Sequence, residues 1–231
     1  MRIYLFILVL YNLSTMISFP QRQIKKNYRS VTGHFPSVKN NKSIAYESKL
    51  EKIFFLTLEF DNDVASYQEQ PQITIDFQNR TKTYNADCFV RYAKGSNKKD
   101  SLIEVKYTQE LEKKKEYFEE KFTSIQEACK GLAINFSIFT EQKYPQTYID
   151  NIDFLYRYKT HGRESRYDEQ ILSLCATEKL TASELANNVT KNPKELIVVS
   201  NAIWGLVAVG KLRTDLYNTK VSMNSFIELF S

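Results

Sequence analysis

The chain of 231 residues is 42% hydrophobic and 26% charged, which suits one globular domain of middling size plus a smaller one. Its 6 glycines and 5 prolines are too few for a long disordered linker, and its net charge of +5 favours a polyanionic partner without proving one. The cysteines, Cys88, Cys129 and Cys175, are isolated and odd in number, so they indicate neither a zinc site nor a disulfide framework. We expect each cysteine to pack as a small hydrophobe.

Residues 1–30 are predicted to form an N-terminal arm, of which residues 1–19 are apolar and the rest is basic. Arg2 followed by an apolar run resembles a short signal peptide, but residues 3–10 are too few to span a bilayer as a helix. Two other interpretations are that the segment packs on the domain, or that the protein starts at Met16 and the preceding residues are an over-extended reading frame. We favour the last, and expect a cytoplasmic protein without a membrane segment.

The first strong helix is predicted over residues 44–60, where Leu50, Ile53, Phe54 and Leu58 recur at helical spacing. Pro71 then precedes a strand at residues 72–77, which alternates apolar and polar side chains.

Two neighbouring strands are predicted next, at residues 84–90 and 102–106, joined through a loop rich in Gly, Ser, Asn and Lys. A charged helix at residues 109–130, capped by Gly131, a strand at 133–139 and a helix at 148–158 complete the pattern. This order predicts an α/β sandwich around a mixed sheet. The first domain is placed at residues 31–160.

Composition changes at residues 159–167, which are polar, charged and contain glycine, so a second domain is predicted at residues 165–231. A short helix is followed by a capping box at Thr181 and Glu184, and a third helix starts at Asn192–Pro193. Short strands are predicted at residues 212–216 and 220–223. Three helices with a two-stranded wing indicate a winged-helix domain, a module that binds DNA or protein.

The chemistry-bearing residues lie on the two neighbouring strands. Asp87 begins the first, while Glu104 and Lys106 are two residues apart on the second and therefore point to the same face. A hairpin would place both carboxylates beside one ammonium group. Two carboxylates can hold Mg²⁺, which can activate water and neutralise charge on a phosphodiester. The alternative is a surface hairpin with an ordinary salt bridge.

A third carboxylate can come from the first helix, where Glu47 and Glu51 are four residues apart on one face. Either acid can instead lie on a solvated face, paired with Lys49 or Lys52.

Taken together, these segments resemble the TnsA family, the endonuclease subunits of heteromeric cut-and-paste bacterial transposases. The resemblance is carried by AYESKLEKIFFLTLEFDNDVASYQEQP at residues 45–71, then YNADCFV, LIEVK and FTE, and then by the small C-terminal domain. It covers the chain from about Gly33 onward. It implies a restriction-endonuclease-like fold with a PD-(D/E)xK-type site in the first domain, followed by the winged-helix domain.

The resemblance also implies roles for particular residues. The family's helix carboxylate falls on Glu51, with Glu47 as the alternative, its aspartate on Asp87, and its acid and lysine pair on Glu104 and Lys106. Some members carry Gln in place of this glutamate.

The metal implied is Mg²⁺, with Mn²⁺ able to substitute, bound by Asp87, Glu104, the Val105 carbonyl and Glu51. Ala86 stands where the proline of the motif is usual, and Gln70 is expected near the site in a supporting role.

The activity implied is cleavage of the 5′ strands of double-stranded DNA at transposon ends. The partners implied are a TnsB-like DDE transposase and a TnsC-like ATPase regulator, the latter contacted through the C-terminal domain. Two alternatives stay open: a restriction or repair nuclease of the same fold that acts alone, and a non-catalytic assembly subunit bound to DNA.

Overall fold

A computed structural model of the chain describes residues 17–20, 31–161 and 165–230. The chain divides into two compact units, Met1–Lys143 and Tyr144–Ser231, called here the first and second unit. The predictions for residues 1–16 and for the basic stretch 21–30 lie outside the described residues. No helix in the described ranges is long and apolar enough to cross a membrane.

The short described piece at residues 17–20 packs on the first unit. Ile17 is buried in the core of this unit, and the backbones of Ser18 and Gln72 exchange two hydrogen bonds. Ile17 and Ser18 therefore belong to the first unit, and they would do so in a protein that starts at Met16 as well.

The first unit begins with a hairpin and a helix. Strands β1 (Gly33–Ser37) and β2 (Lys42–Tyr46) pair antiparallel, and helix α1 (Lys49–Phe60) follows. The predicted helix start at residue 44 was wrong, because Ile44 pairs with Phe35 across the hairpin. The helix starts instead where Ser48, in an extended conformation, accepts a hydrogen bond from the Glu51 amide.

The remaining strands of this unit form a four-stranded sheet and a second hairpin. They are β3 (Val64–Glu69), β4 (Gln72–Phe77), β5 (Arg80–Asn85), β6 (Cys88–Tyr92), β7 (Ser101–Val105) and β8 (Asn135–Phe139). The sheet order is β3-β6-β7-β8, antiparallel except for the parallel pair β7 and β8, while β4 and β5 pair with each other. The mixed sheet is therefore confirmed.

The single strand predicted over residues 84–90 is in fact divided between β5 and β6. The Ala86 amide donates to the Pro71 carbonyl and the Asp87 amide to the Ile103 carbonyl, so the chain changes pairing partner between these two residues. Asp87 consequently lies immediately before β6, between the hairpin and the main sheet.

Helices cover both faces of this sheet. Helix α2 (Thr108–Lys113) is separated by Lys114 from helix α3 (Lys115–Gly131), where a single helix was predicted. Helix α3 buries Phe118, Phe122 and Ile125 in the core. On the other side of the sheet, Phe54 of α1 lies 5.0 Å, ring centre to ring centre, from Phe139.

Gly131 does not cap this helix as predicted, because it is still helical. The residue with a left-handed backbone is Ala133, at φ 57°.

The second unit contains four helices and three short strands within its described residues. They are α4 (Gln146–Thr160), α5 (Asp168–Thr177), β9 (Leu180–Thr181), α6 (Ala182–Val189), α7 (Pro193–Ala208), β10 (Leu212–Arg213) and β11 (Phe226–Leu229). The strands form an antiparallel sheet of order β10-β11-β9. The capping box at Thr181 and the helix start at Asn192 are confirmed. The strand predicted at residues 220–223 is wrong, since the chain reaches its partner β10 only at Phe226–Leu229.

The division between the units differs from the predicted boundary at residues 159–167, because helix α4 belongs to the second unit. The buried Asn151 side chain donates to the carbonyls of Leu216, at 2.9 Å, and Thr219, at 2.8 Å, and accepts from the Val221 amide at 2.9 Å. The change in composition marks an exposed connection after α4, whereas the buried face of α4 already belongs to the core that follows.

Candidate active site

The hairpin β6–β7 brings the three strand-borne residues together at one end of the sheet. Cys88 pairs with Ile103, so Asp87 lies beside the end of β7, where Glu104 and Lys106 are found. Asp87 Oδ2 accepts a hydrogen bond of 2.6 Å from the Val105 amide. The carboxylate is thereby held against the backbone of the neighbouring strand.

Glu104 is the most deeply buried of these groups, with 3% of the residue exposed. It lies opposite Ile138 of β8 and on the face of β7 that carries Leu102, which belongs to the same core cluster as helix α3. Its carboxylate is therefore withdrawn from water and depends on neighbouring groups for compensation.

The Lys106 ammonium lies among oxygens that were predicted to be metal ligands. Its Nζ is 3.0 Å from Glu104 Oε1, 3.5 Å from Asp87 Oδ2 and 3.1 Å from the Val105 carbonyl oxygen. Three oxygens, one each from Asp87, Glu104 and Val105, thus surround a single ammonium group.

Electrostatics at this point is dominated by the two carboxylates. Burial, and then the nearby Glu104 charge, raise the pKa of Asp87 to about 7. Burial alone would lower the pKa of Lys106, but the Asp87 and Glu104 charges outweigh it and raise the pKa above its ordinary value. Lys106 is therefore protonated at neutral pH, and the pair of carboxylates requires positive charge.

These oxygens fit a hard divalent cation such as Mg²⁺. Two carboxylates and a backbone carbonyl are ligands that Mg²⁺ accepts alongside water and substrate phosphate, and here they already surround one cation. In the parts of the chain that the structure describes, no group of three or more His, Cys, Asp or Glu side chains is arranged to hold a metal ion. The fit therefore rests on Asp87, Glu104 and the Val105 carbonyl.

Glu51 stands apart from this group in its direct contacts. Its Oε2 accepts from the Glu47 amide at 2.9 Å and its Oε1 from the Ser48 hydroxyl at 2.9 Å, so it closes the start of α1. Burial raises the pKa of Glu51, and its charge in turn adds to the raised pKa of Asp87. The side chain is thus within electrostatic range of the site.

Gln70 connects Glu47, which precedes α1 and is not part of that helix as predicted, with Asp87. Its amide donates to the Asp87 carbonyl at 3.1 Å, while its side chain donates to Glu47 Oε1 at 2.9 Å. The backbone of Gln70 is left-handed, at φ 51°, so this double contact uses a turn that few residues other than glycine adopt.

Two residues outside the predicted site contact Glu104 directly. Tyr84 of β5 donates its hydroxyl to Glu104 Oε2, and Lys121 of α3 places Nζ 3.8 Å from Glu104 Oε1. Lys121 had a recognisable signal: it lies three residues after Phe118 and four before Ile125, on the buried stripe of its helix.

Glu141, the last residue of the FTE run, has a structural contact near the site. Its carboxylate accepts from the Thr108 amide, at 3.0 Å to Oε2, and from the Thr108 hydroxyl. It therefore fixes the start of α2, two residues after Lys106.

The class of protein that this fold and site fit is the restriction-endonuclease-like nucleases, with acid residues and a lysine at the ends of neighbouring strands of a mixed sheet. Residues 61–141 match the sequence model of a family described as TnsA-like endonuclease N terminal. Residues 61–141 are therefore TnsA-like, and this stretch contains Asp87, Glu104 and Lys106, whereas Glu51 precedes it. No curated protein matches the chain.

Proposed function

We propose that this protein is a metal-dependent DNA endonuclease that cuts the 5′ strands at transposon ends, together with a DDE-type transposase. The observation that carries the proposal is the convergence of Asp87, Glu104 and the Val105 carbonyl on the Lys106 ammonium, within a TnsA-like endonuclease domain.

Asp87 Oδ2, Glu104 Oε1 and the Val105 carbonyl oxygen would hold Mg²⁺, or Mn²⁺ in its place. Such an ion would supply an activated water and neutralise charge on the scissile phosphodiester. Hydrolysis forms a bond between the water oxygen and phosphorus and breaks the P–O3′ bond, which leaves a 5′-phosphate and a 3′-hydroxyl.

Lys106 acts in this proposal as a cation rather than as a base. Its raised pKa keeps it protonated beside the two carboxylates. With a divalent ion held by the same oxygens, the ammonium would stabilise the negative charge that develops on the phosphate.

Glu51 supports the site from a distance. Its two hydrogen bonds at the start of α1 hold its charge in place, near enough to Asp87 to raise the pKa of that residue. It would support a second metal position.

The second unit is proposed to be a winged-helix module that contacts a TnsC-like ATPase. Its order of helix, strand, two helices and two strands, from α5 to β11, supports this assignment. A groove of about 600 Å³ beside its sheet is lined by Lys179, Arg213 and Lys220 and by the acidic Asp215 and Glu228, and offers a surface of mixed charge to a partner.

The test is strand-specific cleavage of a labelled transposon-end duplex in Mg²⁺, with and without the neighbouring transposase. We expect 5′-strand cleavage that requires the transposase and is lost in Asp87→Ala. Folding of the variant is verified by circular dichroism and by retained partner binding.

The other outcomes separate the alternatives. Cleavage by the protein alone would replace the proposal with a restriction or repair nuclease. Partner binding without any cleavage, by folded wild-type protein in Mg²⁺ or Mn²⁺, would replace it with a non-catalytic assembly subunit.

A further inference from the structure

Two residues outside the predicted site, Tyr84 and Lys121, contact the buried Glu104 carboxylate. Its Oε2 accepts the hydrogen bond of the Tyr84 hydroxyl, and its Oε1 faces both Lys106, at 3.0 Å, and Lys121, at 3.8 Å. The two oxygens of this carboxylate thus have different partners: Oε2 accepts from a neutral hydroxyl, whereas Oε1 faces two ammonium groups.

Tyr84 is fixed in its position from three sides. It pairs with Ile73 across the β4–β5 hairpin, its ring lies in the core cluster, and Lys121 Nζ stands 4.6 Å from the ring centre, within cation–π distance. Its hydroxyl is the donor in the contact with Glu104 Oε2, because a carboxylate oxygen can only accept. With Oε2 occupied in this way, Oε1 is left to face the position where the three oxygens converge.

Lys121 occupies an unusual place for a lysine. Its side chain is only 18% exposed, whereas Lys115 at the start of the same helix is 74% exposed. At 3.8 Å from Glu104 Oε1 its ammonium is beyond hydrogen-bond distance, but it adds a second positive charge to the one that Lys106 supplies. A divalent ion bound at Oε1 would be repelled by this charge.

We propose that Tyr84 and Lys121 are positioning residues that tune Glu104 for metal binding in opposite directions: Tyr84 orients the carboxylate toward the metal, and Lys121 competes with the metal for its charge. This inference rests on the proposed function, because it assumes that Glu104 is a metal ligand.

The test is metal binding rather than activity. Mn²⁺ alone is titrated into the full chain without DNA, free Mn²⁺ is followed by electron paramagnetic resonance, and Mg²⁺ affinity is obtained by competition. Tyr84→Phe is expected to weaken binding about tenfold or more, as is usual when the hydrogen-bond partner of a ligand is removed. Lys121→Met, which keeps the apolar stem, is expected to strengthen binding about three- to tenfold.

Each variant has a matched control in the same unit. Tyr67→Phe removes a hydroxyl that donates to another buried glutamate, Glu59, at 2.8 Å, and Lys115→Met removes an ammonium 3.8 Å from Glu119. Both controls are expected to leave Mn²⁺ affinity unchanged. Urea unfolding of all four variants separates a loss of stability from a change in metal affinity.

The outcomes are distinguishable. Wild type that binds Mn²⁺, with Tyr84→Phe or Lys121→Met changing affinity no more than its control, overturns the inference and leaves the proposed function standing. If Tyr84→Phe does not fold, the increase in affinity in Lys121→Met decides alone. Wild type that binds no Mn²⁺ overturns the inference together with the metal-dependent function on which it rests.

Discussion

The first unit buries two glutamates almost completely, and their surroundings differ in kind. Glu59 of α1 is 1% exposed and accepts from the Ser37 hydroxyl at 2.6 Å, the Tyr67 hydroxyl at 2.8 Å and the Lys39 amide at 3.2 Å. Glu104 is 3% exposed and also accepts from a tyrosine, but it lies in addition against the ammonium groups of two lysines.

The lysine beside each glutamate shows the difference most clearly. The Lys39 ammonium donates to the carbonyls of Asp61, at 3.0 Å, and Val64, at 2.6 Å, and so ties the backbone together around Glu59. The Lys106 ammonium is instead shared between Glu104 and a second carboxylate, Asp87. Burial of a carboxylate is therefore no sign of function by itself. What singles out the Glu104 site is that two carboxylates, those of Glu104 and Asp87, share the ammonium group of Lys106.

The largest effect that would test this contrast is the loss of cleavage in Lys106→Met. Removal of the cation that stabilises the phosphate should lower cleavage about 10³-fold or more, equivalent to about 4 kcal/mol of activation free energy. Mn²⁺ affinity should at the same time stay equal or increase, since the competing ammonium is gone. The measurements are single-turnover cleavage of a labelled end and Mn²⁺ titration, with Glu59→Gln as the control that cleaves normally. Near-normal cleavage by Lys106→Met would refute the assignment.

The next largest effect is a loss of stability, which we expect on replacing Glu59 but not on replacing Glu104. Glu59→Ala leaves two hydroxyls and an amide without their acceptor, and should lower the free energy of unfolding by about 3 kcal/mol. Glu104→Gln should stay within about 1 kcal/mol of wild type, because the amide oxygen still accepts from Tyr84 and a repulsion with Asp87 is removed. Urea unfolding in a chelator measures both. Equal losses in the two variants would erase the distinction between the sites.

How far the sequence predicted this site depends on the kind of contact. Asp87, Glu104 and Lys106 follow from strand alternation and a hairpin, both of which are local rules, and the structure brings these three together. Lys121 and Tyr84 reach Glu104 from a helix and from a different hairpin, and no local period specifies which helix packs on which strand.

The errors in the predicted fold also arise where contacts between distant parts of the chain outweigh local patterns. Residues 44–60 have helical spacing throughout, yet residues 42–46 form a strand because pairing with Gly33–Ser37 outweighs the local pattern. The domain boundary was placed by composition, whereas the buried face of α4 determines to which core that helix belongs.

Glu51 gives an effect of intermediate size that separates charge from helix capping. Glu51→Gln removes the charge and one of two acceptors at the start of α1, so stability should fall by less than about 1 kcal/mol. If its charge supports the metal site, cleavage should fall about tenfold, which corresponds to about 1.4 kcal/mol. Glu184→Gln is the matched control, because Glu184 closes the capping box of α6 in the second unit. Unchanged cleavage in Glu51→Gln would show that this residue only caps the start of α1.

The smallest effect is a pH dependence that only the Glu104 site should show. The pKa of Asp87 is about 7 in the folded protein, against an ordinary value of 3.8, because of burial and the Glu104 charge, only partly offset by Lys106. Between these values the folded chain binds a proton that the unfolded chain has lost, so stability is present at low pH and is lost as pH rises through 7. The free energy of unfolding in a chelator should fall by about 1 kcal/mol from pH 6 to pH 8 through this residue.

Asp87→Asn should remove that component, whereas Glu59→Gln should retain it. Urea unfolding at the two pH values measures the difference, and an identical pH dependence in wild type and Asp87→Asn would show that burial beside Glu104 does not raise the pKa of Asp87.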